Sequence, residues 1–208
     1  MRAYHTAMSS PAPDFWEYAE EMTEEEYLRT EPHSPVKREF VDGYVYPLHG
    51  PTLAQAGASS GHGEITLNIG AALLPKARQA GCRIYTSDMR VNATKPTGKR
   101  VYYYPDVVVT CEPMPREITF SLEPCLLAEV LSPSTGHTDR NDKLWAYTSL
   151  PSLQTYLLVD ATRRFVRIVQ RTADGWEEVE LAGEGTISIP CLNTVLTLDE
   201  VYAGVLDA

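Results

Sequence analysis

Two acidic residues interrupt the most apolar extended segments of the chain, and they constrain its fold more than any other feature. Asp106 stands directly before Val107-Val108-Val109, and Glu129 lies between Leu127-Ala128 and Val130-Leu131. Short β-branched and apolar runs of this kind favour buried strands. An ionised carboxylate buried without a partner costs several kcal/mol, so each acid requires a cation, hydrogen bonds or solvent. The sequence therefore predicts a buried sheet with two acids that need compensation.

A shared cation is one way to compensate both acids. The chain between Asp106 and Glu129 is long enough for a strand, a loop and a return strand, so the two can be neighbours in the sheet. Two carboxylates on neighbouring strands suit a hard cation such as Mg²⁺, which takes oxygen ligands and keeps several waters. The alternative is that each acid lies at a strand end and faces water or an arginine. The pair, with Pro105 before Asp106, favours the shared cation.

The rest of the chain has the pattern of a mixed α/β domain. Helices are predicted over residues 23–30, 60–80, 139–149 and 198–205, and strands over 83–86, 89–91, 102–110, 126–131, 156–159, 165–169 and 176–181. Residues 38–48 predict a hairpin that turns at Asp42-Gly43. Pro75 is expected to kink or interrupt its helix, and Gly81 to end it. We interpret residues 1–14 as a flexible lead-in and 15–208 as one domain.

Composition excludes several classes of protein. The formal net charge of −10 opposes indiscriminate binding to a polyanion, although a local basic patch remains compatible with it. No apolar run approaches the roughly 20 residues that a membrane-spanning helix needs. The N-terminal residues do not have the pattern of a secretory signal, so a cytoplasmic location is expected. The four cysteines stand singly and are expected to be reduced thiols.

Several motifs, taken together, resemble a known family. Pro105-Asp106 followed by Glu129-Val130-Leu131 resembles the signature of the PD-(D/E)xK nuclease superfamily. More specifically, the chain resembles the Uma family of restriction-endonuclease-like proteins from about Glu39 to Tyr202. The motifs that carry this resemblance are Phe40-Val41-Asp42-Gly43, Ser87-Asp88-Met89, Tyr104-Pro105-Asp106-Val107, Glu129-Val130-Leu131-Ser132-Pro133-Ser134-Thr135, Asp139-Arg140-xx-Lys143 and Pro151-Ser152-Leu153-xx-Tyr156-xx-Val159-Asp160.

The resemblance implies a restriction-endonuclease-like core, in which helices flank a central mixed β-sheet, and a homodimer. It also implies that Asp106, Glu129 and the backbone carbonyl of Val130 hold Mg²⁺ or Mn²⁺. The third signature position, a lysine in the superfamily, is Leu131 here. The resemblance suggests that Lys143, on the following helix, supplies the missing charge. Without such a role, Lys143 would be a surface ion-pair partner of its helix neighbour Asp139.

Further residues are expected around this centre. Glu39 resembles the acid near the start of the superfamily core and is expected to add a metal-shell or water contact. His62 and Asp88 are candidates for supporting the site, although a lone histidine is more often structural. A second group, in the loop that enters the Asp106 strand, consists of candidates for phosphate contact or simply of solvated loop residues: Lys95, Lys99 and Arg100.

These observations lead to one main hypothesis and two alternatives. The main hypothesis is a metal-dependent endonuclease that hydrolyses DNA phosphodiester bonds. The first alternative is a catalytically silent, dimeric module that keeps the fold and binds nucleic acid or protein; Leu131 and the net charge favour it. The second is a hydrolase of another phosphoester, which would share the site and differ in the shape of its groove.

Overall fold

The computed structural model describes residues 18–48, 59–131 and 137–206, with side chains except in 137–140. The predicted lead-in of residues 1–14, the motif residues 132–135 and the side chains of Asp139 and Arg140 lie outside this description.

The described residues form fourteen strands and four α-helices. The strands are β1 (Glu20–Glu21), β2 (Arg38–Val41), β3 (Tyr44–Pro47), β4 (Arg83–Thr86), β5 (Arg90–Thr94), β6 (Arg100–Tyr103), β7 (Val107–Thr110), β8 (Phe120–Ser121), β9 (Pro124–Leu131), β10 (Thr155–Asp160), β11 (Phe165–Thr172), β12 (Gly175–Ala182), β13 (Thr186–Ile189) and β14 (Thr194–Thr197). The helices are α1 (Glu24–Thr30), α2 (Ser60–Gln79), α3 (His137–Thr148) and α4 (Leu198–Tyr202).

Two six-stranded mixed sheets dominate the structure. The first has the order β1-β3-β2-β6-β5-β8, and the second has the order β12-β11-β10-β9-β7-β4. In the second sheet, β9 and β10 run parallel and are joined through α3, while the other pairs are antiparallel. A parallel pair needs such a crossover, and the helix covers one face of the sheet. The β13–β14 hairpin forms a third sheet of two strands, which is not hydrogen-bonded to the other two sheets.

The second sheet is buried on both faces, which explains the almost continuous apolar sequence of its central strands. One face packs against α2, β13, β14 and α4 through residues that include Ile65, Ile69 and Leu196. The opposite face packs against α3 and the first sheet through residues that include Val101 and Tyr147. The centre of the molecule is therefore a layer between the two sheets, and α3 borders it.

The mixed α/β class and the helix-flanked sheet predicted from the sequence are confirmed. The hairpin at Asp42-Gly43 is also present, with positive φ at both residues. Residues 102–110 differ from the prediction, since they form two strands, β6 and β7, in different sheets. The chain passes from one sheet to the other at Tyr104-Pro105-Asp106, because the proline cannot donate a ladder hydrogen bond. An interruption of α2 at Pro75, one of the two expected effects of this proline, is not observed, since the helix continues to Gln79.

The prediction that the cysteines are reduced thiols is wrong in this structure. Cys82 is bonded to Cys111, and Cys125 is bonded to Cys191. The first pair flanks the β4–β7 ladder, whose Arg83–Thr110 pairing places the two cysteines opposite each other. This proximity arises from strand register and is not visible in the spacing along the chain.

None of the helices in the described ranges is long and apolar enough to cross a membrane.

Candidate active site

Asp106 and Glu129 are brought together by the pairing of β7 with β9. Val107 lies opposite Ala128 in this antiparallel ladder, so the register extended by one residue places Asp106 opposite Glu129. Residues directly opposite in an antiparallel pair have adjacent side chains. The two acids thus lie on neighbouring strands, at the point where the chain crosses from the first sheet into the second.

Asp106 is held by two contacts on the same carboxylate oxygen. The backbone N–H of Val130 donates to Oδ2 over 2.7 Å, and Nε2 of His62 lies 3.3 Å from the same atom. The short hydrogen bond from Val130 joins the Asp106 side chain to the strand that carries Glu129. The carboxylate is partly accessible to solvent, so it is oriented by the protein without being sealed inside it.

His62 reaches Asp106 from the first turn of α2. Ser59 caps this helix by accepting a hydrogen bond from the His62 backbone N–H, which places the imidazole beside the β7–β9 junction. The hydrogen bond to Asp106 is the largest cause that raises the pKa of His62 above its ordinary value. Burial of the ring opposes this rise, while the charge of Asp106 and the backbone of Val130 add to it. The ring therefore faces two of the three predicted metal ligands.

Glu129 is engaged by two side chains of α3. The Tyr147 hydroxyl donates to Oε1 of Glu129 over 3.2 Å, and the Lys143 ammonium lies 3.5 Å from the same oxygen. Burial is the main reason that the pKa of Tyr147 lies well above its ordinary value, and the Glu129 charge raises it further. The phenol consequently stays protonated and serves as a donor. The two residues are one helical turn apart, so they project from one face of α3.

Lys143 is a buried cation placed between two carboxylates. Its side chain is 6% exposed, and its ammonium lies 3.2 Å from Oε1 of Glu39 as well as 3.5 Å from Glu129. The ammonium also lies 5.3 Å from the centre of the Tyr103 ring, within the range of a cation–π contact. Lys143 is therefore part of the interior of the site, not merely a surface partner of a neighbour on its own helix.

Glu39 is the contribution of the first sheet. It lies on β2, is 1% exposed at its side chain, and accepts a hydrogen bond from the Tyr104 backbone N–H over 3.0 Å. The same Oε1 contacts Lys143. Because Tyr104 directly precedes the Pro105-Asp106 crossing, Glu39 ties the crossing segment to Lys143. The structure thus gathers Glu39, Asp106, Glu129 and Lys143 at one junction between the sheets.

The carboxylate and carbonyl oxygens at this junction are ligands of the type that a hard divalent cation binds. Among the described residues, no group of three or more His, Cys, Asp or Glu side chains is arranged to hold a metal ion. Mg²⁺ is usually held by one or two carboxylates together with water and substrate oxygens. Asp106, Glu129 and the carbonyl of Val130 would satisfy that requirement. Glu39 and Glu129 share the single Lys143 ammonium, so a divalent cation would offset the remaining negative charge.

The other candidates lie farther from Asp106 or are already engaged. Lys95 is buried and contacts Asp42 at 3.3 Å and Asp142 at 3.2 Å, so its ammonium joins the β2–β3 turn to α3. Arg100 pairs with Glu24, and exposed Lys99 precedes it. Both stand at the end of β6 remote from the crossing, about 20 Å along the chain from Asp106.

The sequence did not single out Ser87 and Tyr147 as site components, yet Ser87 contacts Asp106 and Tyr147 contacts Glu129. Asp88 is exposed and pairs with Lys37. Ser87, with φ of 57°, donates its backbone N–H to the carbonyl of Asp106 over 3.0 Å. Tyr147 could have been found from its position one turn after Lys143 on a helix face, whereas the backbone of Ser87 left no signal in the sequence.

Comparisons with known proteins identify the family. The family model Uma2, described as "Putative restriction endonuclease", matches residues 24–199. The uncharacterized protein slr1290 of Synechocystis sp. is 31% identical over 185 residues, which cover 88% of this chain and 92% of that protein. The uncharacterized protein sll1609 of the same organism is 35% identical over 168 residues, or 78% and 89% of the two chains.

A solved structure shares the fold. The crystal structure of a putative nuclease belonging to DUF820 from Anabaena variabilis matches with a TM-score of 0.65 and 17% identity. The match covers 88% of this chain and 98% of that chain. The resemblance drawn from the sequence motifs is thereby confirmed at the level of family and fold. The chain belongs to the Uma2 family of putative restriction endonucleases and has their nuclease-like mixed α/β fold.

Proposed function

We propose that this protein is an endonuclease that hydrolyses DNA phosphodiester bonds with the help of Mg²⁺ or Mn²⁺. The observation that carries the proposal is the contact between the Lys143 ammonium and the Glu129 carboxylate, 3.5 Å apart and beside Asp106. The signature lysine is replaced by Leu131, whose side chain packs into the apolar layer between the sheets. The Lys143 ammonium, from α3, therefore lies next to Glu129, the acid that the signature lysine would accompany.

The chain's own residues would divide the work as follows. Asp106, Glu129 and the Val130 carbonyl would hold the cation, which supplies Lewis-acid polarisation of the phosphodiester and a more acidic water. Lys143 would stabilise negative charge as it develops on the phosphate, since a fixed ammonium in a poorly solvated site acts strongly on such charge.

Neighbouring contacts keep these groups in position. Glu39, on β2, contacts the Lys143 ammonium that α3 provides. Tyr147 orients the Glu129 carboxylate, and the Val130 backbone N–H together with His62 orients that of Asp106. Preorganisation of this kind lowers the cost of arranging charges at the moment of reaction.

A second candidate function is a catalytically silent module that binds nucleic acid or protein. The observation that favours it is internal neutralisation of the acids. Lys143 already contacts Glu39 and Glu129, and His62 already contacts Asp106. These contacts offset much of the acids' charge without a metal. The two functions differ in whether a divalent cation binds at Asp106 and Glu129.

Metal binding and DNA cleavage, measured side by side, test the proposal. Mn²⁺ would be titrated into the wild type and into Asp106→Asn, with the free ion followed by electron paramagnetic resonance. Supercoiled plasmid would be incubated with the same proteins in Mg²⁺, in Mn²⁺ and in chelator. We expect the wild type to bind Mn²⁺ and to nick or linearise the plasmid only with metal, and Asp106→Asn to lose both properties.

A surface variant serves as the control for this experiment. Asp199→Asn removes one exposed carboxylate on α4, which pairs with Arg164 and not with a residue of the candidate site. It should bind Mn²⁺ and cleave like the wild type. Plasmid that stays intact with a wild type that binds no Mn²⁺ would instead support the silent module. Cleavage that persists in chelator would contradict the metal-dependent reaction.

The oligomeric state and the location also remain proposals. We expect a homodimer, which light scattering of the purified chain would detect as twice the mass of one chain. For the location we keep the cytoplasm as the expectation. The two disulfides are of a kind more common in oxidising compartments, so counting free thiols in protein from freshly lysed cells would test it.

A further inference from the structure

Lys37 is a cation at the edge of the candidate site that the proposed reaction does not use. It directly precedes β2, and its backbone carbonyl accepts a hydrogen bond from Leu48, which extends the β2–β3 ladder by one residue. Glu39 lies two residues farther along the same extended segment, so the two side chains leave it on the same side. The Lys37 ammonium lies 5.7 Å from the centre of the Tyr104 ring, next to the Pro105-Asp106 crossing.

A strained turn connects Lys37 to Asp106. The Lys37 ammonium donates to the Ser87 carbonyl over 2.8 Å, and the Ser87 backbone N–H donates to the Asp106 carbonyl over 3.0 Å. Ser87 has φ of 57°, a conformation that non-glycine residues seldom adopt. The hydrogen bond from the Asp88 N–H to the Thr86 carbonyl closes this turn. Ser87 therefore links the Lys37 ammonium to the backbone of Asp106 through two hydrogen bonds, one at its carbonyl and one at its N–H.

Exposure separates Lys37 from the buried lysines Lys143 and Lys95. The Lys37 side chain is 37% exposed, whereas those of Lys143 and Lys95 are 6% and 5% exposed. Its anionic partner, Asp88, is 84% exposed and lies 2.6 Å from the ammonium. Exposed ion pairs contribute little to stability, since water and salt screen them. The partner can therefore be exchanged for another anion at small cost.

We propose that Lys37 binds a phosphate of the DNA substrate next to the scissile bond, and that Asp88 occupies the ammonium until the phosphate replaces it. This inference rests on the proposed function, and it adds a substrate-binding residue to it. The ammonium has three N–H groups, so it can keep the Ser87 carbonyl while it exchanges Asp88 for a phosphate oxygen. Asp88 would then act against binding, because its carboxylate competes with the phosphate and repels it.

Salt-dependent binding of DNA tests this inference without requiring cleavage. Fluorescence anisotropy would measure the affinity of a short labelled DNA duplex in Ca²⁺ over a series of salt concentrations. The proteins compared are the wild type, Lys37→Gln, Asp88→Asn and the double variant. Gln at position 37 retains a donor for the Ser87 carbonyl, so the turn is preserved. The control is Lys76→Gln, an exposed lysine in the last turn of α2, about 21 Å along the helix from His62.

Lys37→Gln and Asp88→Asn are expected to change the affinity for DNA in opposite directions. Lys37→Gln should weaken binding and reduce the slope of log affinity against log salt by about 0.9, the value for one lost phosphate contact on duplex DNA. Asp88→Asn should tighten binding. This gain should shrink in the Lys37→Gln background, because Asp88 acts through the lysine. Lys76→Gln should leave both the affinity and the slope unchanged.

Two outcomes would overturn the inference alone, and a third would overturn the proposed function with it. If the wild type binds the duplex with a measurable salt dependence and Lys37→Gln matches Lys76→Gln, Lys37 makes no phosphate contact, while the proposed function stands. A gain from Asp88→Asn that is equal in both backgrounds would also overturn it, since general charge repulsion would explain that gain. If the wild type shows no salt-dependent binding, the proposed function fails together with the inference.

Discussion

Replacing Lys143 by Met tests whether the buried ion cluster depends on this cation. The substitution keeps most of the side-chain length and removes the ammonium that contacts Glu39 and Glu129. Removing one partner of a buried ion pair typically costs 3–5 kcal/mol, because the other charge is left uncompensated. The Tyr104 N–H and the Tyr147 hydroxyl would still donate to the two carboxylates. We therefore expect the lower end of this range, a loss of about 3 kcal/mol in the free energy of unfolding at pH 7.

The loss should depend on pH in a defined direction. Without the ammonium, Glu39 and Glu129 form a pair of like charges with little solvent access, and such a pair favours uptake of a proton by one member. Lowering the pH to about 5 should therefore relieve the repulsion and reduce the difference between the variant and the wild type. Urea unfolding at the two pH values, followed by circular dichroism, measures this difference.

Two controls make the result interpretable. Lys143→Arg keeps a positive charge in the cluster and should recover part of the stability. Arg29→Ala removes an exposed cation that lies 3.8 Å from Glu26, and it should change stability by less than about 0.5 kcal/mol. A loss below about 1 kcal/mol for Lys143→Met, or a loss that is the same at both pH values, would refute the assignment of Lys143 as the compensating charge.

Three further predictions concern other parts of the structure. Tyr147→Phe removes the hydroxyl that donates to Glu129, so it should cost about 1 kcal/mol of stability and slow DNA cleavage, as thermal unfolding and initial rates would show. Burial raises the pKa of Asp160, but nearby hydrogen-bond donors outweigh this and lower it below its ordinary value of 3.8. Asp160→Asn should therefore lose about 0.5–1.5 kcal/mol at neutral pH, with the loss fading as the pH falls through the lowered pKa, measurable by urea unfolding across pH. Replacing both Cys82 and Cys111 by Ser should lower the free energy of unfolding by about 2–4 kcal/mol, because the unfolded chain gains loop entropy.

The features that could be predicted from the sequence were those that local patterns carry. Val107-Val108-Val109 identified a buried strand, Asp42-Gly43 a hairpin, and Thr23 followed by three glutamates a short helix. The acids Asp106 and Glu129 stood out because apolar neighbours make a carboxylate costly. In each case the residue types alone impose the local conformation or the cost.

The features that escaped prediction depend on pairing over long distances in the chain. The division of residues 102–110 between two sheets follows from which partners β6 and β7 find, namely β2 and β9. The Cys82–Cys111 disulfide likewise follows from strand register, and the Cys125–Cys191 disulfide from the packing of the β13–β14 connection against β9. The crossing itself had a signal, since Pro105 interrupts an otherwise continuous strand pattern. Tertiary pairing then decided which sheet each half joined.

Prediction of the site was limited in the same way, because its contacts join residues that are far apart in the chain. The role of Lys143 was implied by the family resemblance, yet its contact with Glu39 requires α3 and a strand of the first sheet to pack against the same face of the second sheet. The turn at Ser87 that links Lys37 to Asp106 has an ordinary sequence and an unusual φ. Only the positions of the two sheets relative to α3 bring these residues together.

The single-turnover rate of DNA cleavage in Mg²⁺ tests the central claim most directly, when the wild type is compared with Lys143→Met at a temperature at which both are folded. If Lys143 replaces the signature lysine, the variant should cleave about 10²–10³-fold more slowly, the effect expected when one preorganised group that stabilises developing charge is lost. Lys143→Arg should retain part of the rate. A folded Lys143→Met that cleaves at the wild-type rate would contradict the account.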